Sequence, residues 1–374
     1  MAEMKIVMAL FKYFPYGGLE LDFIRIALKL AGRGHKVICC AGSWEGDVPE
    51  SVEYHPIPLR AWTNHARASE FERKLHAYLE TERPDRFVAF NRMGGADLYF
   101  AADNCLLPAW RKKHSDIMLR YLPRYRTFLR QEKAVFAPDA RTKILYIVEK
   151  QKEEYIAAYG TEPDRFFYVP PGMNEACRRP ENALAVRTEE RARLAVAPDE
   201  LLFITVASQF RVKGADRAIR AMAHLPESVR GKCRFLLCGD EKIKPFRELA
   251  AACGIERNLI HLGAHQDIPR LLQAADLMVH PARLEAAGSV LIEAIAAGLP
   301  VICSGLCGFS NFVRDAGGIV LPEPFRDEDL LQELTRLTVN PAQLAQMKEA
   351  AIQYGAAADF YRRADAAADI IERG

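Results

Sequence analysis

Two kinds of pattern alternate along the chain. Short runs, apolar after an opening Lys5, Lys36 or Arg86, occupy positions 5–10, 36–40 and 86–90, with another at 144–148, and longer stretches such as 19–32 carry apolar side chains at helical spacing. An unbroken run suits a strand buried on both faces, and a one-sided stretch suits a helix laid over it, so the alternation predicts β-α-β units building a parallel sheet. The pattern halts at Val169-Pro-Pro-Gly172, a stiff segment that reads as an inter-domain connection, and restarts with a strand at 201–207. Further strands are expected at 234–238, 259–262, 277–280 and 301–303. Gly254 and Gly298 each follow a helical stretch, where a left-handed cap suits glycine. The last stretch, 359–373, is Ala-rich and charged and reads as a helix.

Length turns this alternation into two domains, because 374 residues exceed one ordinary core. A formal charge of +2 gives no overall bias toward nucleic acid, so any basic surface must be local. The nine cysteines are scattered without a Cys-x-x-Cys pair or a His at zinc spacing, and they read as reduced, mostly buried thiols of a cytosolic protein. The start, Met1 to Leu10, has too short an apolar run for a signal peptide, and no stretch is long and apolar enough for a membrane span.

Three segments carry candidate chemistry. Tyr13-Phe14-Pro15-Tyr16-Gly17-Gly18-Leu19-Glu20 places a Gly-Gly turn between the first strand and first helix, which suits either a tight turn or the close approach of an anion to helix N-H groups. It is not the Gly-x-Gly-x-x-Gly dinucleotide fingerprint, which argues against a nicotinamide enzyme. Ala207-Ser-Gln-Phe-Arg211-Val-Lys213-Gly214 follows the first strand of the second domain. Its two cations form either a solvated turn or a grip that neutralises a departing diphosphate in place of a magnesium ion. His280-Pro-Ala-Arg-Leu-Glu285-Ala-Ala287-Gly288-Ser289-Val-Leu-Ile-Glu293-Ala294 is the most specific feature. Two glutamates eight apart flank a Gly-Ser helix start, and a carboxylate reads vicinal hydroxyls bidentately, so one acid suits a ribose and the other a hexose. Glu293 stands in a helix apolar nearly all round, where an acid usually has a partner, while His280 reads as packing at a strand end.

Glu-x7-Glu followed by Ala-Ile-Ala-Ala-Gly-Leu-Pro-Val301 resembles the signature of retaining glycosyltransferases with the GT-B fold. Phe11-Lys-Tyr-Phe-Pro-Tyr-Gly-Gly-Leu19, Ser43-Trp-Glu-Gly-Asp47, Thr63-Asn-His65, Tyr99-Phe-Ala-Ala-Asp103 and Pro170-Pro-Gly172 are similar, almost end to end, to the bacterial lipopolysaccharide core glucosyltransferase I family. The resemblance implies an α/β protein with two Rossmann-like domains facing across a cleft: residues 1–169 binding the acceptor, 170–355 binding the nucleotide sugar, and a helix in 356–374 crossing back to the first domain. It implies that Glu293 binds the donor ribose, Glu285 the transferred sugar, Lys213 and Arg211 the diphosphate, and Gly17 and Gly18 the phosphate from the opposite domain, with Ala287, Gly288 and Ser289 at the donor-side helix start. Asp22 and Asp103 would face the reacting sugar or the acceptor, Asp103 standing where many relatives carry histidine. Asn91-Arg-Met-Gly-Gly95 departs from the family pattern by carrying Gly where Pro is expected.

No metal or other cofactor is expected. Asp327-Glu-Asp329 is the only Asp-x-Asp, and it reads as acids in the first turn of a helix. Between 106 and 130 lie Arg111, Lys112, Lys113, Arg120, Arg124, Arg126 and Arg130 against one acid, Asp116, interleaved with Trp110, Tyr121, Tyr125 and Phe128 and broken by Pro108 and Pro123. This is either a solvated helix or a face for an anionic membrane or acceptor phosphates. The family implies a lipid-linked acceptor at the cytosolic face of the inner membrane. The reading is transfer of glucose from UDP-glucose to the inner-core heptose of lipopolysaccharide. The alternatives are a related retaining transferase with another nucleotide sugar or acceptor, a nucleotide-sugar epimerase or hydrolase, and a non-catalytic binder.

Overall fold

The computed structural model describes residues 3–15, 17–173, 175–265 and 267–374, so Tyr16 of the Gly-Gly loop and the first two residues of the N-terminal stretch lie outside the described residues. The chain forms two compact units, Met1–Gly172 with Arg362–Gly374, and Met173–Tyr361. The sequence placed the boundaries after 169 and after 355. The helix Pro341–Ala357 stays in the second unit because it lies on the helix Ser289–Ala296, with Gly355 set against the backbone of Ile295 and Ala296.

In the first unit the strands are β1 Lys5–Leu10, β2 Lys36–Ala41, β3 Glu53–Pro56, β4 Arg86–Ala89, β5 Leu98–Ala101, β6 Lys143–Tyr146 and β7 Phe166–Tyr168. They pair in parallel in the order β3-β2-β1-β4-β5-β6-β7. The second unit contains β8 Leu201–Val206, β9 Cys233–Cys238, β10 Leu259–Gly263, β11 Leu277–His280, β12 Val301–Ser304 and β13 Ile319–Leu321, parallel in the order β10-β9-β8-β11-β12-β13. The expected strands all reappear within a residue or two. β3, β5, β7 and β13 were not legible as runs: each is three or four residues long, and β3 and β7 are half-exposed edges.

Each sheet reverses its strand order once, between β1 and β4 and between β8 and β11. Adjacent loops leave in opposite directions at such a point and open a crevice beyond the strands' carboxyl ends, where ligands of open α/β sheets bind. The loops concerned are 11–17 and 90–97 in the first unit, and 207–214 and 281–288 in the second.

The first unit is completed by the helix Arg363–Arg373, laid on Gly18–Gly32. Arg33 reaches Asp365, Asp369 and Glu372, and His35 meets Glu372 at 2.9 Å. At the start of the helix, Arg363 pairs with buried Asp22 at 2.6 Å and hydrogen-bonds the Pro170 carbonyl. All nine cysteines are free thiols, and among the described residues no helix is long and apolar enough to cross a membrane.

Candidate active site

In the second unit the site grows from the two switch-point loops. Gly214 ends the β8 loop with φ +81° and starts the helix Ala215–Ala223, and a Cβ there would run into the Pro281 carbonyl. Gly288 plays the same part at the start of Ser289–Ala296, with φ +90° and a Cβ position hemmed by Leu291 and Glu285. Only glycine takes both the left-handed backbone and the close approach at low cost. The β11 loop is held to the β8 loop by Arg283, which donates to the Arg211 carbonyl at 2.7 Å and grips Asp216 with both Nη atoms.

This scaffold brings Lys213, Glu285 and His280 together. Lys213 Nζ lies 2.9 Å from Glu285 Oε2 and donates to the Leu284 carbonyl at 3.1 Å, while His280 Nε2 meets the same Oε2 at 2.9 Å. Both cation and imidazole fall on one oxygen, and among the described residues Oε1 has no donor. Burial pushes the Glu285 carboxyl up, but the His280 hydrogen bond and charge, with Lys213, outweigh it and hold it below the ordinary value. Beside it, the loop bridges to Cys307, whose thiol is lowered chiefly by its buried neighbour Cys303. His280 ends β11 fully buried, as expected, and in addition orients Glu285, a role the sequence reading missed.

Glu293 stands half-buried in the first turns of its helix, with Ala287 and Gly288 buried and Ser289 half-buried at the start. Arg211 is exposed in the β8 loop and does not join the Lys213 pair. Asp327 and Asp329 lie in the first turn of Asp327–Val339, where Arg326 holds Asp329. Among the described residues no group of three His, Cys, Asp or Glu side chains is placed to hold a metal.

In the first unit Gly17 caps the helix Gly18–Gly32 in an extended conformation. Glu20, in the first turn, is raised by burial and by the charge of Asp103, which puts two acids at this loop cluster. Asp22 is turned inward onto Arg363; burial raises it despite that cation. Asp103 follows β5 with its side chain 55% exposed and lies 3.5 Å from Arg92. The loop after β4 supplies Asn91 and Arg92, a second pair the sequence reading left without a role. Of the motifs that carried the resemblance, Trp44 is structural, its ring stacked 4.0 Å from Tyr13, and Thr63 caps the helix Asn64–Glu82 through Ala66 N-H.

The basic segment folds as three helices, Leu106–Arg111, Asp116–Tyr121 and Pro123–Phe136. Arg111, Lys112, Lys113, Arg120 and Arg124 are exposed, beside exposed Ile117, Met118, Tyr121 and Leu122. Arg120, Arg126, Arg130 and Lys133 line an open cavity of 890 Å³ in this region.

Comparison with known proteins bears on this geometry. Residues 186–354 match the family model of glycosyl transferases group 1. Over 373 residues, 99% of each chain, the sequence is 38% identical to the lipopolysaccharide glucosyltransferase WaaG of Escherichia coli (strain K12). The crystal structure of WaaG, a glycosyltransferase involved in lipopolysaccharide biosynthesis, matches with a TM-score of 0.92 at 37% identity, covering 99% of this chain and 100% of that one. HepE of Anabaena, crystallised with UDP-glucose, shares the fold at a TM-score of 0.73 and 18% identity, covering 99% of each chain. Fold and site together define a GT-B glycosyltransferase, a hexosyltransferase in class. Within that class, the chain belongs to the WaaG lipopolysaccharide glucosyltransferase family.

Proposed function

We propose that this protein transfers glucose from UDP-glucose to the inner-core heptose of lipopolysaccharide, with retention of configuration and without a metal ion. The observation that carries the reading is the Lys213–Glu285–His280 cluster at a helix N-terminus, in a chain similar over its whole length to the Escherichia coli glucosyltransferase. Glu293 holds the ribose hydroxyls and Glu285 Oε1 the transferred glucose, while Lys213, with Arg211, takes the charge that develops on the diphosphate. In the reacting step the bond from the anomeric carbon to the phosphate oxygen breaks, a bond to the acceptor oxygen forms on the same face, and the departing phosphate receives the acceptor's proton. Asp103 faces the acceptor. The basic helices dock on the anionic cytosolic face of the inner membrane, a reading supported by exposed cations beside Ile117, Met118, Tyr121 and Leu122.

Titration calorimetry with UDP, UDP-glucose and other nucleotide sugars, without added metal, tests the donor. Selective binding of UDP and UDP-glucose, followed by transfer to heptose-terminated lipopolysaccharide, is the expected result. Tight binding of a different nucleotide alone would overturn the donor, and donor consumption as fast without acceptor as with it would point to a hydrolase or epimerase.

A further inference from the structure

Beyond the carboxyl ends of β4 and β5, within the first unit, lies a pocket of 310 Å³. Phe11, Phe71 and Phe128 give it apolar walls, and Asn64, Arg92 and Asp103 add polar groups. Apolar faces with a few convergent hydrogen-bonding groups suit the C-H surface and hydroxyls of a sugar ring. The charge balance favours a neutral ring over a phosphate, because Arg92 is already matched by two carboxylates, Asp103 and Glu132.

Glu132 is the unexplained member of that group. It sits on the helix Pro123–Phe136 with no exposed surface, and its carboxylate forms an ion pair with Arg92, 2.9 Å from Nε but without hydrogen-bond alignment. It also accepts the Tyr159 hydroxyl at 2.6 Å and the backbone N-H groups of Leu106 at 2.9 Å and Leu107 at 3.2 Å. Arg92 passes the constraint on, with Nη1 3.5 Å from Asp103 Oδ2 and Nη2 donating to the Asn104 carbonyl at 2.6 Å and to Tyr155 Oη at 3.2 Å. Tyr155 in turn donates to the Asp103 carbonyl at 3.0 Å. A buried acid needs such partners merely to be tolerated. What separates this one from a structural acid is that its cation lines the pocket and meets Asp103, a carboxylate that lines it too.

We propose that Glu132 is a positioning residue for the acceptor sugar: through Arg92 it fixes Asp103 at the pocket, and through Leu106 and Leu107 it ties that pocket to the first helix of the basic segment. The proposal rests on the reading of Asp103 as facing the acceptor. A helix that meets an anionic surface and a loop that meets the acceptor hydroxyl thus share one buried carboxylate. Their mutual placement is set by it rather than by the exposed side chains themselves.

Three variants test this. Glu132→Gln keeps the volume but replaces one accepting oxygen with a donor, so it cannot serve both Arg92 and the helix amides. Arg92→Lys keeps the buried charge pair but loses the planar fork that spans Glu132 and Asp103. Both are expected to bind UDP as the parent does by calorimetry, and to lose about 100-fold in kcat on heptose-terminated lipopolysaccharide with the donor KM unchanged, the scale of a small misplacement of reacting groups. Asp103→Asn should show a loss at least as large. Parental kcat in Arg92→Lys while Asp103→Asn is impaired overturns the proposal, as does a lowered Tm with kcat intact. If Glu132→Gln fails to fold, Arg92→Lys decides alone. Parental kcat in Asp103→Asn overturns instead the acceptor reading beneath it.

Discussion

Glu285 receives a cation and an imidazole on a single oxygen, and that arrangement sets its chemistry. A carboxyl held below its unfolded value contributes stability that is present at neutral pH and lost as pH falls through the folded value, because the unfolded chain then binds more protons. His280→Asn, which removes the leading favourable partner, should therefore lower the melting temperature at neutral pH and shrink the fall on acidification, so that parent and variant converge at low pH; melts taken from neutral pH down through the carboxylate range check this. For chemistry, Lys213→Ala is expected to cost roughly 100- to 1,000-fold in transfer, the scale of removing one preorganised charge-stabilising group, with the fold retained by circular dichroism. Glu293→Ala should also abolish most transfer, but through weakened UDP binding. Lys213 and Glu285, which the structure brings together, could be singled out in the sequence because their motifs are local and sit next to strand ends. Arg92, Glu132 and Arg363 could not, because their partners are remote: Arg363 meets Asp22 across 341 residues of sequence, and no local spacing records that.

At the scale of elements, the basic segment is where composition and structure meet. The two prolines do not simply interrupt it: Pro123 begins a helix, where its missing N-H costs nothing, and Pro108 lies in the first turn of Leu106–Arg111. The resulting short helices expose cations and apolar side chains together, which one long helix with a buried stripe would not have done. Each cation near an anionic surface contributes about 1 kcal/mol. Neutralising Arg111, Lys112 and Lys113 together should thus weaken binding to anionic vesicles by about 100-fold, measured by co-sedimentation. Unchanged binding would remove the membrane from the account and leave the segment as a solvated face.

For the whole molecule, the chain's return is the main structural consequence. The first unit is not finished until Arg363–Arg373 lies on Gly18–Gly32, so the second unit is inserted between two parts of the first. Arg363→Ala would leave Asp22 buried without its cation, and breaking such a pair costs on the order of 3–5 kcal/mol. The expected result is a marked drop in the melting temperature with UDP binding retained, since Lys213, Glu285 and Glu293, the residues proposed to hold the donor, stand in the other unit; denaturation followed by circular dichroism, with calorimetry for UDP, checks both.

The sequence by itself determined the two-unit α/β character, the parallel strands long enough to register as apolar runs, and the loops bearing Lys213 and Glu285, because those features are written in local periodicity and in motifs at strand ends. Tertiary structure alone decided which loops become neighbours: the order reversal between β8 and β11 sets His280, Lys213 and Glu285 within hydrogen-bond reach, and the return of the last helix fixes Asp22. The physical reason is that strand order and long-range ion pairs depend on packing among segments far apart in the chain, which periodicity within a segment does not encode.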